Sequence, residues 1–503
     1  MDTFNGRHLG NLDCRSQRSR SMARFRSSFS LCLLVLFLLL PSTGLLGVDL
    51  VQSILAEATK LKLSKKEISF SFRLPDGTLL EHRAEEARAP ASCMKLIVAA
   101  ACLDLLGPDY LLQTNLMRLG TVEDGVLDGD LLVVGGGDPA ICGRENDKDP
   151  LWELRPWIDR IRSQGIDVIR GRILADVRQL EGSGVHPDWP KDQLSRWYCA
   201  PSGALNLNDN CVDVVIGPVV SGAVEVSVRP AQPRIKLRNS LTVCEKKKDH
   251  LYRVDRRGDG WDILVSGKFL KTGGVRTEYV AVPDPAEAFV SVFLQLLHDS
   301  GITVRGESIS PAAKADIVAT ISHSLSSRIP VMLKRSQNLY ADALARVLGR
   351  ARGGNGSFES AAQALEKWIH QRIGQSNSVV IRDGSGLSRN NQLTARILRK
   401  VVELVLVQEW GGVLLDGLPL AGMDGTLESR LTRTALVGKV RAKTGTIRGV
   451  SSLAGVLDTE QGPVSFCFLY QGRSGRASLS RDWQDRSLLK VAKTLNMAKI
   501  DQN

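Results

Sequence analysis

A change of texture along the chain constrains the fold more than any other feature. Both ends carry helical and strand-like segments, whereas residues 110 to about 317 are short β-like runs broken by Gly, Pro and Asp clusters. Before the change, Leu50–Lys60 has a helical pattern and Ile68–Phe72 alternates apolar with polar residues. Pro75-Asp76-Gly77 then supplies turn chemistry, and Thr78–His82 returns. A mostly apolar run from Ser92 to Leu106 has a helical pattern and reads as a helix that stops at Gly107-Pro108. In the middle the β-like runs are Leu131–Val134, Val212–Ile216, Val224–Val228 and Tyr279–Val282. After it, helices are predicted over Arg335–Leu348, Ser357–Ile373 and Leu393–Val407. Strands follow over Val437–Ala442, Ser451–Leu457 and Pro463–Tyr470, and a last helix lies near Gln484–Asn496. A hairpin at the start and strands at the end predict one sheet assembled from both termini. The expected organisation is one domain from 48–109 plus 318–503, with 110–317 as an inserted region of two small β-rich nested domains. The fold class is therefore α/β (α+β).

Residues 1–47 read as a leader. Six arginines precede the apolar stretch Leu31–Leu40, and Pro41-Ser42-Thr43-Gly44 follows it. That order matches a secretory signal, with an uncleaved N-terminal anchor as the alternative. Either way the bulk of the chain is expected to be exported, to a periplasm or cell envelope. The net charge of +12 is partly leader, and the remainder is spread thinly. With no long basic run and no zinc-finger spacing, nucleic acid is not an expected partner. Seven histidines and no paired cysteine spacing argue against a metal, and no cofactor is expected. Seven cysteines lie beyond the leader. Cys199 and Cys211 flank a loop and could bridge, and buried thiols are the plainer reading for most of them. Hydrophobic residues at 43% and charged residues at 24% exclude wholesale disorder.

Three short patterns carry nucleophilic chemistry, and each occurs twice. Ser92-Cys93-Met94-Lys95 places an amine one helical turn from a hydroxyl, where a lysine of lowered pKa could activate a serine. Ser487-Leu488-Leu489-Lys490 has the same spacing. Ser336-Gln337-Asn338 supplies a hydroxyl and an amide, and Ser388-Arg389-Asn390 repeats it. Lys443-Thr444-Gly445-Thr446 pairs a cation with hydroxyls suited to a carboxylate, and its glycine would let a substrate backbone approach the strand. Lys271-Thr272-Gly273 is its rival. Only the copies at 92, 336 and 443 combine a helix-start serine, a second motif opening a helix and a strand-borne lysine in that order.

With their flanks these segments carry a resemblance. Pro90-Ala91-Ser92-Cys93-Met94-Lys95-Leu96, Ser336-Gln337-Asn338-Leu339-Tyr340-Ala341, Asp383-Gly384-Ser385-Gly386-Leu387-Ser388-Arg389, Asp424-Gly425-Thr426-Leu427 and Lys443-Thr444-Gly445-Thr446 are involved, with Gly137-Asp138-Pro139 in the middle region. They resemble the D-alanyl-D-alanine carboxypeptidases of the penicillin-binding protein 4 type, from about residue 50 to 497. The resemblance implies the serine β-lactamase/transpeptidase fold, an antiparallel sheet flanked by helices, with a large insertion between the first two motifs. It implies Ser92 as nucleophile, Lys95 as its base, and Ser336 and Asn338 for leaving-group protonation and amide binding. Lys443, Thr444, Gly445 and Thr446 would bind the terminal carboxylate, the Ser92 and Thr446 amides would form the oxyanion hole, and Arg389 would line the pocket. The implied partners are peptidoglycan stem peptides ending in D-Ala-D-Ala, and β-lactams, with peripheral membrane or cell-wall association left open. Endopeptidase action would use the same site. Gln337 stands where the family often has aspartate, a position read as tolerant. Arg448 is expected to face the substrate side chain and to favour an anionic stem peptide. A β-lactamase or esterase on the same fold, and a non-catalytic envelope protein with a vestigial site, are the competing readings.

Overall fold

The computed structural model describes residues 43–144, 149–309 and 315–495, so the leader expectation falls almost wholly outside the described residues. In chain order, the first part contains α1 (Thr43–Lys60), β1 (Ile68–Arg73), β2 (Leu79–His82) and α2 (Met94–Leu106). The middle holds β3 (Leu111–Glu123), β4 (Val126–Gly135), α3 (Arg155–Ser163), β5 (Val168–Ile169) and β6 (Ile173–Asp176). It continues with β7 (Cys211–Val220), β8 (Ala223–Arg229), β9 (Lys236–Cys244), β10 (Leu251–Arg256), β11 (Asp262–Leu270) and β12 (Arg276–Ala281). Then come α4 (Pro285–Asp299), β13 (Thr303–Val304) and β14 (Ala315–Ser324). The last part has α5 (Leu325–Lys334), α6 (Asn338–Ala351), α7 (Phe358–Arg372), α8 (Ala395–Val407) and α9 (Gly411–Gly417). It ends with β15 (Val440–Ile447), β16 (Val450–Thr459), β17 (Gly462–Gln471) and α10 (Ala477–Thr494). Among the described residues, no helix is long and apolar enough to cross a membrane.

Both termini build one five-stranded sheet, ordered β15-β16-β17-β1-β2, as the end textures predicted. All its pairings are antiparallel, and the two chain ends meet where Phe70 faces Phe468 and Phe72 faces Phe466. One core lies on the side of Ile54, Phe70, Phe468 and Trp483. The other joins Ile97, Leu344, Trp368 and Leu398 to Ala454 and Leu469 from the sheet. The alternation over Ile68–Phe72 suggests a half-solvated strand, yet Ser69 and Ser71 are fully buried. Buried guanidinium groups satisfy them: Arg88 Nε donates to Ser69 Oγ at 2.8 Å and Arg399 Nε to Ser71 Oγ at 2.7 Å.

At the centre, α2 is apolar all round, and every residue from Met94 to Leu103 is buried. The middle of the chain holds a six-stranded sheet of β13, β5, β4, β3 and β14 with β6, packed on α3 and α4 around Trp157, Phe289 and Phe293. Two three-stranded sheets, β10-β11-β9 and β12-β7-β8, share a second core around Val214, Val265 and Phe269. The helices α3 and α4 are not visible in the β-like texture read from sequence. All seven cysteines beyond the leader are buried thiols, and Cys199 and Cys211 form no bridge.

Candidate active site

The three motif copies singled out by their order converge at one end of the five-stranded sheet. Ser92 sits in a 3-10 turn, Ala91–Cys93, that runs directly into α2. Lys95, one turn on, is fully buried, and its Nζ lies 3.0 Å from Ser92 Oγ, 2.7 Å from Asn338 Oδ1 and 2.8 Å from the Ser385 carbonyl. The Asn338 amide has one possible orientation, because its Nδ2 donates to the Tyr198 carbonyl at 2.7 Å. Asn338 Oδ1 and Ser385 O can only accept. A neutral Lys95 therefore spends both its N–H bonds on them and turns its lone pair to the Ser92 hydroxyl.

Burial, followed by the neighbouring charge of Lys443, lowers the Lys95 pKa to about 7. Lys443 is itself buried, which lowers it to about 8. Its Nζ donates to Ser336 Oγ at 2.9 Å and to the Thr444 carbonyl at 2.8 Å. Thr444 Oγ1 bonds Thr426 Oγ1 at 2.7 Å. The expected strand Val437–Ala442 is displaced: β15 begins at Val440, and Lys443 to Thr446 lie within it. The expected helix Arg335–Leu348 starts late, at Asn338. α5 stops at Lys334, α6 starts at Asn338, and Ser336 between them has φ +55°.

The structure gives a packing reason for a glycine at 445, beside the one read in the sequence. A Cβ there would stand 2.2 Å from Ser452 Oγ and 2.8 Å from the Ser92 amide nitrogen. The glycine thus lets β15 press against the start of the Ser92 helix. Gly386 does the same on the opposite wall: with φ +81°, its Cβ would meet the Ala91 carbonyl at 1.9 Å.

Ser92 lies where two parts of a cleft meet. One, about 590 Å³, runs past Thr426, Thr444 and Thr446 to Arg430 and Asp485. The other, about 1200 Å³, is lined by Asn338, Arg389 and Arg448 together with Asp192, Trp197 and Tyr198 from the middle region. Arg389 donates to the Arg448 carbonyl at the exposed rim.

The model of the D-Ala-D-Ala carboxypeptidase 3 (S13) family matches residues 51–489. The chain belongs to that family. It is 27% identical over 419 residues to a D-alanyl-D-alanine carboxypeptidase of an Actinomadura species, covering 78% of this chain and 75% of the relative. A carboxypeptidase of Mycobacterium tuberculosis is 31% identical over 404 residues, covering 78% and 73%. The fold is similar to the crystal structure of penicillin binding protein 4 from Haemophilus influenzae. That match has a TM-score of 0.72 at 22% identity, over 84% of this chain and 96% of that one.

In this S13 carboxypeptidase the rival motifs lie elsewhere. Ser487 is buried in α10, and Lys490 lies 3.7 Å from Glu57. Lys271 is exposed and pairs with Glu245 at 3.2 Å. Ser388 belongs to the Asp383 loop, where its hydroxyl donates to Asp188 at 2.6 Å. Three contributors escape the sequence reading. Tyr198 acts through its backbone carbonyl, which has no sequence signature. Asp342, one helical turn after Asn338, is buried and accepts from the Gly384 and Ser385 amides at 2.8 and 2.9 Å. It thereby holds the loop that presents the Ser385 carbonyl to Lys95. Burial, followed by the Asp383 charge, pushes its carboxyl far above the usual range. Asp209 contacts Gln337, and the clustered polar run Asn206-Leu207-Asn208-Asp209-Asn210 was its only visible signal.

Proposed function

We propose that the chain is an exported serine-type D-Ala-D-Ala carboxypeptidase acting on peptidoglycan stem peptides through an acyl-enzyme on Ser92. The observation that carries this reading is the Lys95 amine 3.0 Å from the Ser92 hydroxyl, buried beside a second ammonium that lowers its proton affinity. Ser92 Oγ attacks the carbonyl of the penultimate D-alanine while its proton passes to Lys95. The oxyanion is received by the Ser92 and Thr446 backbone N–H groups, each such donor being worth about 3 kcal/mol. The peptide C–N bond then breaks as the proton held by Lys95 passes through Ser336 to the leaving amine, which leaves Lys95 neutral again. Water then attacks the ester as Lys95 takes its proton, and Lys95 returns that proton to the departing Ser92 Oγ, so Ser92 and the neutral amine are restored. Lys443, Thr444 and Thr446 hold the terminal carboxylate, and Asn338 holds the stem-peptide amide. Arg389 and Arg448 at the rim suit an anionic stem peptide.

The cleft beyond Thr444 and Thr446 leaves room for a leaving group larger than D-alanine, which supports endopeptidase action at the same site. β-Lactams would acylate Ser92 in the same way. The expected compartment is the periplasm or cell envelope. Residues 48–109 with 318–503 would form the catalytic domain, with 110–317 inserted as two nested domains.

Fluorescent penicillin should label the purified chain covalently, and Ser92→Ala should abolish the adduct in intact-mass spectra. Labelling that survives Ser92→Ala would remove Ser92 as nucleophile. Rapid release of hydrolysed penicillin would instead favour the β-lactamase reading, and absence of any adduct the non-catalytic one.

A further inference from the structure

The second motif contains a backbone conformation that its own residues do not favour. Ser336, with φ +55°, lies in the left-handed region, where a non-glycine residue persists only if its surroundings hold it. The kink serves the site on both sides: the Ser336 hydroxyl meets Lys443, and Asn338 meets Lys95. Both neighbours of the kinked residue reach one carboxylate. Gln337 Nε2 donates to Asp209 Oδ2 at 2.8 Å, and Arg335 Nη2 lies 3.7 Å from the same oxygen.

Asp209 is 128 residues upstream of Gln337, in the middle region. It is fixed in a left-handed turn, with φ +53°, +57° and +51° at Asn208, Asp209 and Asn210. Asn210 Nδ2 donates to the Pro201 carbonyl at 2.7 Å and to Asn206 Oδ1 at 2.6 Å, and Asn208 Nδ2 donates to the Cys211 carbonyl at 3.0 Å. Arg144 Nε lies 3.3 Å from the Asp209 carboxylate. Gln337 and Asp209 are 4% and 6% exposed, so little water competes for their contact.

We propose that Asp209 is a positioning residue for acylation: it holds the left-handed turn at Ser336, and through it the placement of Ser336 and Asn338 around the two lysines. The inference rests on the functional reading above. It also gives Gln337 a physical reason, since a carboxylate at 209 calls for a donor at 337.

The test is the rate of acylation by fluorescent penicillin. Asp209→Ala should slow it on the order of 100-fold, the cost of a small misplacement in a reacting site. Asp209→Asn, whose side-chain oxygen can still accept from Gln337, should keep most of the rate. Gln337→Glu sets two carboxylates against each other and should lose rate. Adding Asp209→Asn to Gln337→Glu restores a donor–acceptor pair of the same shape and should recover most of that loss, which a merely structural role would not require. If Asp209→Ala fails to fold, this near-isosteric pair decides the matter. Wild-type rates in Asp209→Ala, or no recovery in the double variant, would overturn the inference while leaving the function standing. A wild-type chain that takes up no penicillin would overturn both.

Discussion

At Lys95, burial and a second ammonium act against the same proton, and three fixed partners remain satisfied after it leaves. The rate of acylation should therefore rise with pH through about 7, as the amine becomes neutral. Above about 8 it should fall, as Lys443 loses the charge proposed to attract the carboxylate. A profile flat from about pH 6 to about pH 9 would contradict a lysine base. Stability follows the same lowered value with a definite sign. Between about 7 and the ordinary lysine value near 10.5, the unfolded chain binds a proton that the folded chain does not, so this group makes unfolding harder as pH rises. Lys95→Met should cut acylation by about 10²- to 10⁴-fold without lowering the unfolding free energy at neutral pH, because it removes a buried charge rather than a packing group. Ser92, Lys95, Ser336, Asn338 and Lys443 were legible as candidates because spacing and order survive in one dimension. Tyr198 and Asp342 were not, because what they contribute depends on the segment folded against them.

Two local displacements at the level of elements show what hides a motif's structure. A buried lysine followed by threonines and glycine does not look like a strand, so the β-like run seemed to stop at Ala442, whereas β15 continues to Ile447. The second motif opens a helix as its sequence suggests, yet α6 starts only at Asn338, and the left-handed turn at Ser336 between α5 and α6 leaves no mark in the residue pattern. The close approach of β15 to the start of the Ser92 helix is a packing device that Gly445 alone permits. Gly445→Ala should therefore push the strand away from Ser92. It should cost about 1–3 kcal/mol of stability in a denaturant titration, and acylation should drop further than that loss explains. Normal acylation in Gly445→Ala would show that the gap closes without moving Ser92.

Across the whole molecule, the middle region supplies part of the wall around the site. Tyr198 accepts from Asn338, Trp189 Nε1 donates to Asp383 at 2.8 Å, and Asp188 accepts from Ser388. Where the chain returns toward the helices, His323 on β14 bridges Asp138, at 2.7 Å, and Glu153, at 3.2 Å. Although burial opposes the charge, hydrogen bonds and Coulomb attraction from those two carboxylates raise its pKa to about 9. Its stabilisation is thus complete below about 6.5 and is lost as pH rises through about 9. His323→Gln should cost about 3 kcal/mol in unfolding free energy at neutral pH and much less at about pH 10. An equal loss at both values would refute the ion-pair account. The residue pattern alone determined the sheet built from both termini, the buried helix behind Ser92 and the order of the motifs, since apolar periodicity and turn chemistry act over short stretches. Only the tertiary structure decided which motif copies meet, which carbonyls and carboxylates face them, and why a glycine at 445 or a glutamine at 337 is needed. Those roles arise from close approach between segments hundreds of residues apart, and nothing local in the chain encodes a distance.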